Sequence, residues 1–253
     1  MNVRARVLLS ALIVAAVLPG VTGASSGDAG RLNVFAAASL TEVFPAIDSR
    51  PRYNFAGSDQ LGTQIQQGAP ADVFAAASPK YPELLYKQGL VEKPIKFVTN
   101  ALVLIVPKSN PAGLHSVLDL TRPGVKLVIG DATVPVGSYT RTVLNTLGIT
   151  AAVMKNVVSQ ETDVKGVLGK VALGEADAGF VYATDVRFVL GKVGVIRIRE
   201  SAQPHVVYEV AVVKKAAHRQ EAYAFVTRLI RPPAQRTFVR YGFGRKPAVT
   251  PAP

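Results

Sequence analysis

Several short stretches of this chain carry groups that could hold an anion without using a charged side chain. In Phe35-Ala36-Ala37-Ala38-Ser39-Leu40-Thr41-Glu42 an apolar run ends in a serine, with Glu42 three positions on. That is the pattern of a capping box, so Ser39 is expected to cap a helix start. In Phe55-Ala56-Gly57-Ser58-Asp59-Gln60-Leu61 the hydroxyl of Ser58 again falls at a strand-to-helix turn. Asp59 beside it suits a helix N-terminus, and it is expected to point outward, away from any anion held there. In the stretch 130–139, Pro135 and Gly137 frame Val136 at a helix start, which leaves the Val136 N–H free. The stretch 159–166 opens another helix, capped by Thr162 or Asp163, and 179–185 ends a strand at Tyr182, whose hydroxyl can donate. Helix N-termini present unpaired N–H donors and a partial positive charge. Hydroxyls, backbone N–H groups and small residues gathered there are the chemistry of oxyanion binding.

Other chemistries find little support. There is no cysteine, hence no disulfide, no thiolate nucleophile and no sulfur ligand for a metal. His115, His205 and His218 fall in loops or on a helix surface, away from any strand-end nucleophile. No G-x-S-x-G elbow, P-loop or metal-ligand spacing is present. The reading is therefore a binding protein rather than an enzyme, with no catalytic residues and no resident cofactor. Gly68 and Pro70, in 67–72, read as a helix C-cap and turn leading into a strand.

These groups need elements to position them. Strand-like runs fall at 32–37, 53–55, 73–76, 101–106, 126–129, 178–181 and 206–213. Helical spacing fills 40–47, 60–67, 82–88, 138–147, 164–173 and 220–230. The alternation argues for an α/β fold with largely parallel sheets, and runs that are apolar throughout argue for strands covered on both faces. Ligands in such folds sit where strand ends meet helix N-termini, which is where the stretches above lie.

Composition narrows the setting. The formal charge is +12, but Lys and Arg are scattered, without the dense basic run of a nucleic-acid interface. Scattered surface charge is the default reading of that excess. Arg4 and Arg6 precede an apolar run over 7–18 and then small residues to Ala24, the order of a secretory signal. Residues 1–24 are expected to be removed, leaving about 230 of 253. The expected product is exported across the cytoplasmic membrane to a periplasmic or cell-envelope space, with no cysteine to carry a lipid.

Taken together, 34–41, 67–72, 134–137, Val181-Tyr182 and Arg240-Tyr241-Gly242-Phe243 resemble the periplasmic molybdate-binding proteins of ABC transporters, over about 32–244. The resemblance implies a two-lobed periplasmic-binding-protein fold of type II. Each lobe would be a mixed sheet flanked by helices, with the ligand in the cleft between lobes. It places lobe 1 at 31–106 plus 208–244 and lobe 2 at 107–207, with 101–106 and 206–213 as crossing strands and 245–253 as a flexible tail. It assigns the anion to Ser39 and Ser58 from the first lobe and to Val136, Val164 and Tyr182 from the second. Molybdate or tungstate is then the transported ligand, these five residues are its oxyanion ligands, and the partner is a membrane permease, with the binding protein a monomer. The alternatives are sulfate or another small anion. Ferric ion is disfavoured because Tyr182 has no adjacent tyrosine, and an organic anion because no arginine sits at these junctions; Lys165 is expected to face solvent. Molybdate, tungstate and sulfate carry no proton at neutral pH, so a ring of donors satisfies them. Phosphate keeps a proton that such a ring leaves unpaired.

Overall fold

The computed structural model describes residues 30–247. The expected signal at 1–24 and the tail beyond residue 247 lie outside them. In chain order the strands are β1 (Asn33–Ala37), β2 (Arg52–Ala56), β3 (Val73–Ala76), β4 (Ile95–Asn100), β5 (Leu102–Pro107), β6 (Leu127–Gly130), β7 (Val157–Glu161), β8 (Ala178–Tyr182), β9 (Val193–Arg197) and β10 (Val206–Val212). The helices are α1 (Val43–Ile47), α2 (Ser58–Gln66), α3 (Lys80–Lys87), α4 (Pro135–Thr146), α5 (Thr150–Met154), α6 (Val164–Ala172), α7 (Arg219–Leu229) and α8 (Pro232–Arg240).

The strands form two five-stranded sheets, ordered β2-β1-β3-β10-β4 and β7-β6-β8-β5-β9. In the first, β1 runs parallel to β2 and β3 while β10 runs antiparallel to β3 and β4. In the second, β6 runs parallel to β7 and β8 while β5 runs antiparallel to β8 and β9. Each sheet is therefore mixed. The central strands β3, β5, β6, β8 and β10 are buried along their whole length, which is why their sequences lack a polar alternate face.

The crossings fall earlier than expected. β5 lies wholly in the second sheet, so the chain leaves the first lobe at Ala101 rather than near residue 106. β10 belongs to the first sheet from Val206, so the return comes between Arg197 and Val206. Gln203 ties the two crossings together. Its amide donates to the Leu102 carbonyl at 2.7 Å and accepts from the Leu102 N–H at 3.2 Å.

Three strands (β4, β7, β9) and two helices (α5, α8) were not anticipated from the sequence. The expected helix at 40–47 is broken into a 3₁₀ turn at Ala38–Leu40 and a five-residue α1. Ser39 lies inside that turn and makes no cap bond, so the capping box with Glu42 does not form. The supposed tail begins as ordered chain: the Lys246 N–H donates to Gln235 Oε1 at 3.0 Å.

Candidate functional site

Ser39, Ser58, Val136, Val164 and Tyr182 line one hollow between the two sheets. Small residues, Ala37, Ala38, Ala56, Gly57 and Ala77, complete much of its wall. The hollow is small, about 10 Å³, room for a water-sized group and not for an organic molecule. Ser39 is 6% exposed and Ser58 1%.

Each donor is set by its element. Ser58 is the first residue of α2, following the β2 strand end. Its Oγ accepts from the Ala77 N–H at 3.1 Å, which directs its own proton away from Ala77. In α4 the first residue is Pro135, which has no N–H to offer, so Val136 brings the first one. Val164 opens α6 behind Asp163. Asp163 resolves the capping alternative: its carboxylate accepts from the N–H groups of Lys165 at 2.7 Å and Gly166 at 3.0 Å. The Val164 N–H is not taken by that cap and has no partner within the helix. The N-termini of α2, α4 and α6 thus converge on the hollow, and their dipoles favour negative charge there.

Tyr182 ends β8 with its hydroxyl buried and without a hydrogen-bond partner. Burial, then the neighbouring Tyr208, pushes its ionisation well above the ordinary tyrosine range, so it enters the hollow as a neutral O–H donor. A buried hydroxyl left unpaired is costly, and a bound oxyanion is the kind of group that would satisfy it.

Several expectations for neighbouring residues need correction. Asp59 does not face outward. Its Oδ2 accepts from Thr133 Oγ1 of the second lobe at 2.9 Å, and its Oδ1 is buried without a partner. Tyr81 joins the same seam, donating to the Thr133 carbonyl at 2.9 Å. Lys165 is not a solvent-facing charge. It pairs with Asp185 at 3.4 Å and lies 5.3 Å from the Phe188 ring centroid. Burial raises the Asp185 carboxyl to about 6, against the opposing pull of Lys165. His218 is not a free loop residue either; its Nδ1 lies 3.1 Å from Asp72, whose carboxylate also accepts the Asn33 N–H.

Tyr182 does have a neighbouring tyrosine. Tyr208 of β10 packs edge-on against it with ring centroids 5.8 Å apart, a pairing invisible from two positions so distant in the chain. The Tyr208 hydroxyl is engaged by Ser39 Oγ at 2.8 Å and by Asn100 Nδ2 at 3.3 Å, and burial holds both phenols protonated. No group of three or more His, Cys, Asp or Glu side chains suited to a metal occurs among the described residues.

A second, larger hollow of about 910 Å³ lies on the first lobe, lined by Lys87, Lys93, Lys96, Lys246, Glu83 and Glu209, among others. It is the basic place an anion might be sought by charge alone. Its lining, however, includes the buried carboxyl of Glu209, raised to about 7 by burial and then by Glu83, with Lys96 opposing. It draws no donor from the second lobe.

A hollow lined by donors at the seam of two mixed sheets is the architecture of a solute-binding protein. The chain belongs to the bacterial extracellular solute-binding protein family, whose model matches residues 32–244. It is 38% identical to the molybdate-binding protein ModA of Mycobacterium tuberculosis (strain H37Rv), a match that covers 94% of this chain and 96% of that one. The molybdate-binding protein ModA of Escherichia coli (strain K12) is 31% identical, covering 94% of this chain and 98% of that one. Among solved structures, the periplasmic molybdate-binding protein of Azotobacter vinelandii aligns with a TM-score of 0.73 at 22% identity, over 88% of this chain and all of that one. At that identity the likeness shows the shared fold.

Proposed function

We propose that this chain is an extracytoplasmic solute-binding protein that captures molybdate, or its close analogue tungstate, and delivers it to the permease of an ABC transporter. The observation that carries the reading is the convergence of Ser39, Ser58, Val136, Val164 and Tyr182, from both lobes, on one small buried hollow. Three hydroxyls and two backbone N–H groups would encircle the anion. Neutral dipoles replace its water, and the carboxylate in the lining, Asp163, is already satisfied by the N–H groups of Lys165 and Gly166. The relatives' printed names support molybdate as the ligand, and the signal-like N-terminus supports an exported, periplasmic or envelope location. Among the described residues no helix is long and apolar enough to cross a membrane.

Residues of both lobes also touch at the rim of the hollow, through Asp59, Thr133 and Tyr81. We infer that ligand capture and lobe closure are one event, a shift of population toward the closed form, and that the closed monomer is what the permease reads. A thermal-shift series with molybdate, tungstate, sulfate and phosphate tests the assignment. Strong stabilisation by molybdate and tungstate, with none by phosphate, is expected. Stabilisation by sulfate alone moves the ligand to sulfate on the same site, and no response to any of the four removes the oxyanion reading.

A further inference from the structure

We propose that Asn100 and Tyr208 form a one-way hydrogen-bond relay that holds the Ser39 hydroxyl as a donor toward the bound anion, and so favours fully deprotonated oxyanions over protonated ones. The inference rests on the oxyanion reading of the hollow and names two positioning residues that the five ligand positions do not include.

The direction of the relay follows from its far end. Asn100 is the last residue of β4, just before the chain passes to the second sheet at Ala101. Its Oδ1 accepts the Ala101 N–H at 2.9 Å. A backbone N–H can only donate, so this contact fixes which end of the amide is oxygen. The Nδ2 end therefore donates, to Thr184 Oγ1 at 2.9 Å and to the Tyr208 hydroxyl at 3.3 Å.

Tyr208 is fully buried, and its hydroxyl partners among the described residues are Asn100 and Ser39. Receiving a proton from Asn100, it has one proton to give, and Ser39 Oγ stands at 2.8 Å. The opposite sense, with Ser39 donating to Tyr208, would leave the buried phenol proton with no acceptor among the described residues. Ser39 is thus held as an acceptor on its inner side, and its proton is left for the hollow it lines. Ser58 is held the same way by the Ala77 N–H, but there the pin is backbone. The Ser39 pin is built from side chains and can be removed by substitution.

The consequence is selectivity. Molybdate and sulfate present acceptors only, and a locked donor suits them. Phosphate at the same pH brings a proton, and a Ser39 whose own proton is turned to the hollow meets it with a second donor instead of an acceptor. An unmade hydrogen bond of this kind corresponds to about ten- to a hundredfold in affinity. A serine free to rotate could turn a lone pair toward that proton.

The test is calorimetric titration of the full chain and its Tyr208→Phe and Asn100→Ala variants with molybdate, sulfate and phosphate in one buffer. Tyr208→Phe is expected to weaken molybdate and sulfate by about tenfold while phosphate binding holds or improves. Asn100→Ala shifts the ratio in the same direction by less, and it carries the test should Tyr208→Phe not fold. In a Ser39→Ala background, Tyr208→Phe should no longer change the ratio, because the relay has lost its end. A purely structural role for Tyr208 would lower all three anions by one factor in either background, and that result overturns the relay alone. Failure of the unmodified protein to bind any of the three overturns the oxyanion reading, and the relay with it.

Discussion

Replacing Tyr182 with phenylalanine separates binding from stability, because its hydroxyl has no protein partner to lose. The Oη is buried and unpaired by the protein, and the ring packs against Tyr208 at 5.8 Å, a contact that phenylalanine keeps. Unliganded Tyr182→Phe should therefore melt at the wild-type temperature or slightly above it. Binding should suffer instead. A hydrogen bond to a charged group contributes about 1.5–3 kcal/mol, which is a loss of roughly ten- to a hundredfold in affinity. At saturating molybdate, stabilisation follows RT ln(1 + [L]/Kd), so the variant forfeits about 1.4–2.7 kcal/mol of it. For a protein of this size each kcal/mol moves the melting temperature by about 2–4 °C. The molybdate-induced shift should shrink by about 3–11 °C. Paired thermal melts with and without ligand, backed by calorimetry, provide the assay. A variant that melts several degrees lower when unliganded and keeps full affinity would show that the hydroxyl serves the fold and not the anion.

Three further substitutions probe the seam and the buried charge. Gly57 has φ −59° and ψ 139°, which alanine adopts without strain, but a Cβ there would lie 2.4 Å from the Thr162 carbonyl oxygen of the opposite lobe. Because that Cβ would also meet Asp59 Oδ1 at 2.6 Å, Gly57→Ala should shift the Asp59 side chain, and it should weaken molybdate about tenfold or more, with scattering that stays more open in ligand. Asp59→Asn keeps an acceptor for Thr133 and removes a carboxylate beside the hollow; molybdate affinity should rise by about two- to fivefold at low salt, and the gain should fade as salt screens it. Glu209 has a folded-state value raised to about 7 from 4.5 by burial and then Glu83. The folded state thus binds the extra proton, and its advantage is lost as pH climbs from 4.5 through 7. Glu209→Gln should match wild type near pH 4.5 and exceed it by about 2–3 kcal/mol at pH 8, measured by denaturant unfolding at both values.

Legibility in the sequence followed burial. The inner strands β3, β5, β6, β8 and β10 are covered on both faces, so their apolar runs stand out and were located within a residue or two. The missed strands β4, β7 and β9 are all sheet edges, and their exposed positions carry Lys96, Gln160 and Arg197, which dilute the pattern. The junctions before α2, α4 and α6 were readable because Gly57, Ser58, Pro135 and Asp163 stand at those helix starts. What could not be read is contact across the chain: Tyr208 against Tyr182, Asp59 against Thr133, Lys165 against Asp185. Each pairs residues 20 or more positions apart, and no local spacing records such a partner. Tyr208 left one faint sign, a polar-tipped aromatic at the centre of an otherwise buried strand, where its hydroxyl must find a partner.

The account stands most directly on where the anion sits. A crystal of the full chain grown with molybdate, with the metal located by its anomalous scattering, should place one tetrahedral anion in the small hollow. Its oxygens should lie within hydrogen-bond distance of Ser39 Oγ, Ser58 Oγ, the N–H groups of Val136 and Val164, and Tyr182 Oη. An anion found instead among Lys93, Lys96 and Lys246 of the larger groove, with the small hollow holding only water, would contradict it.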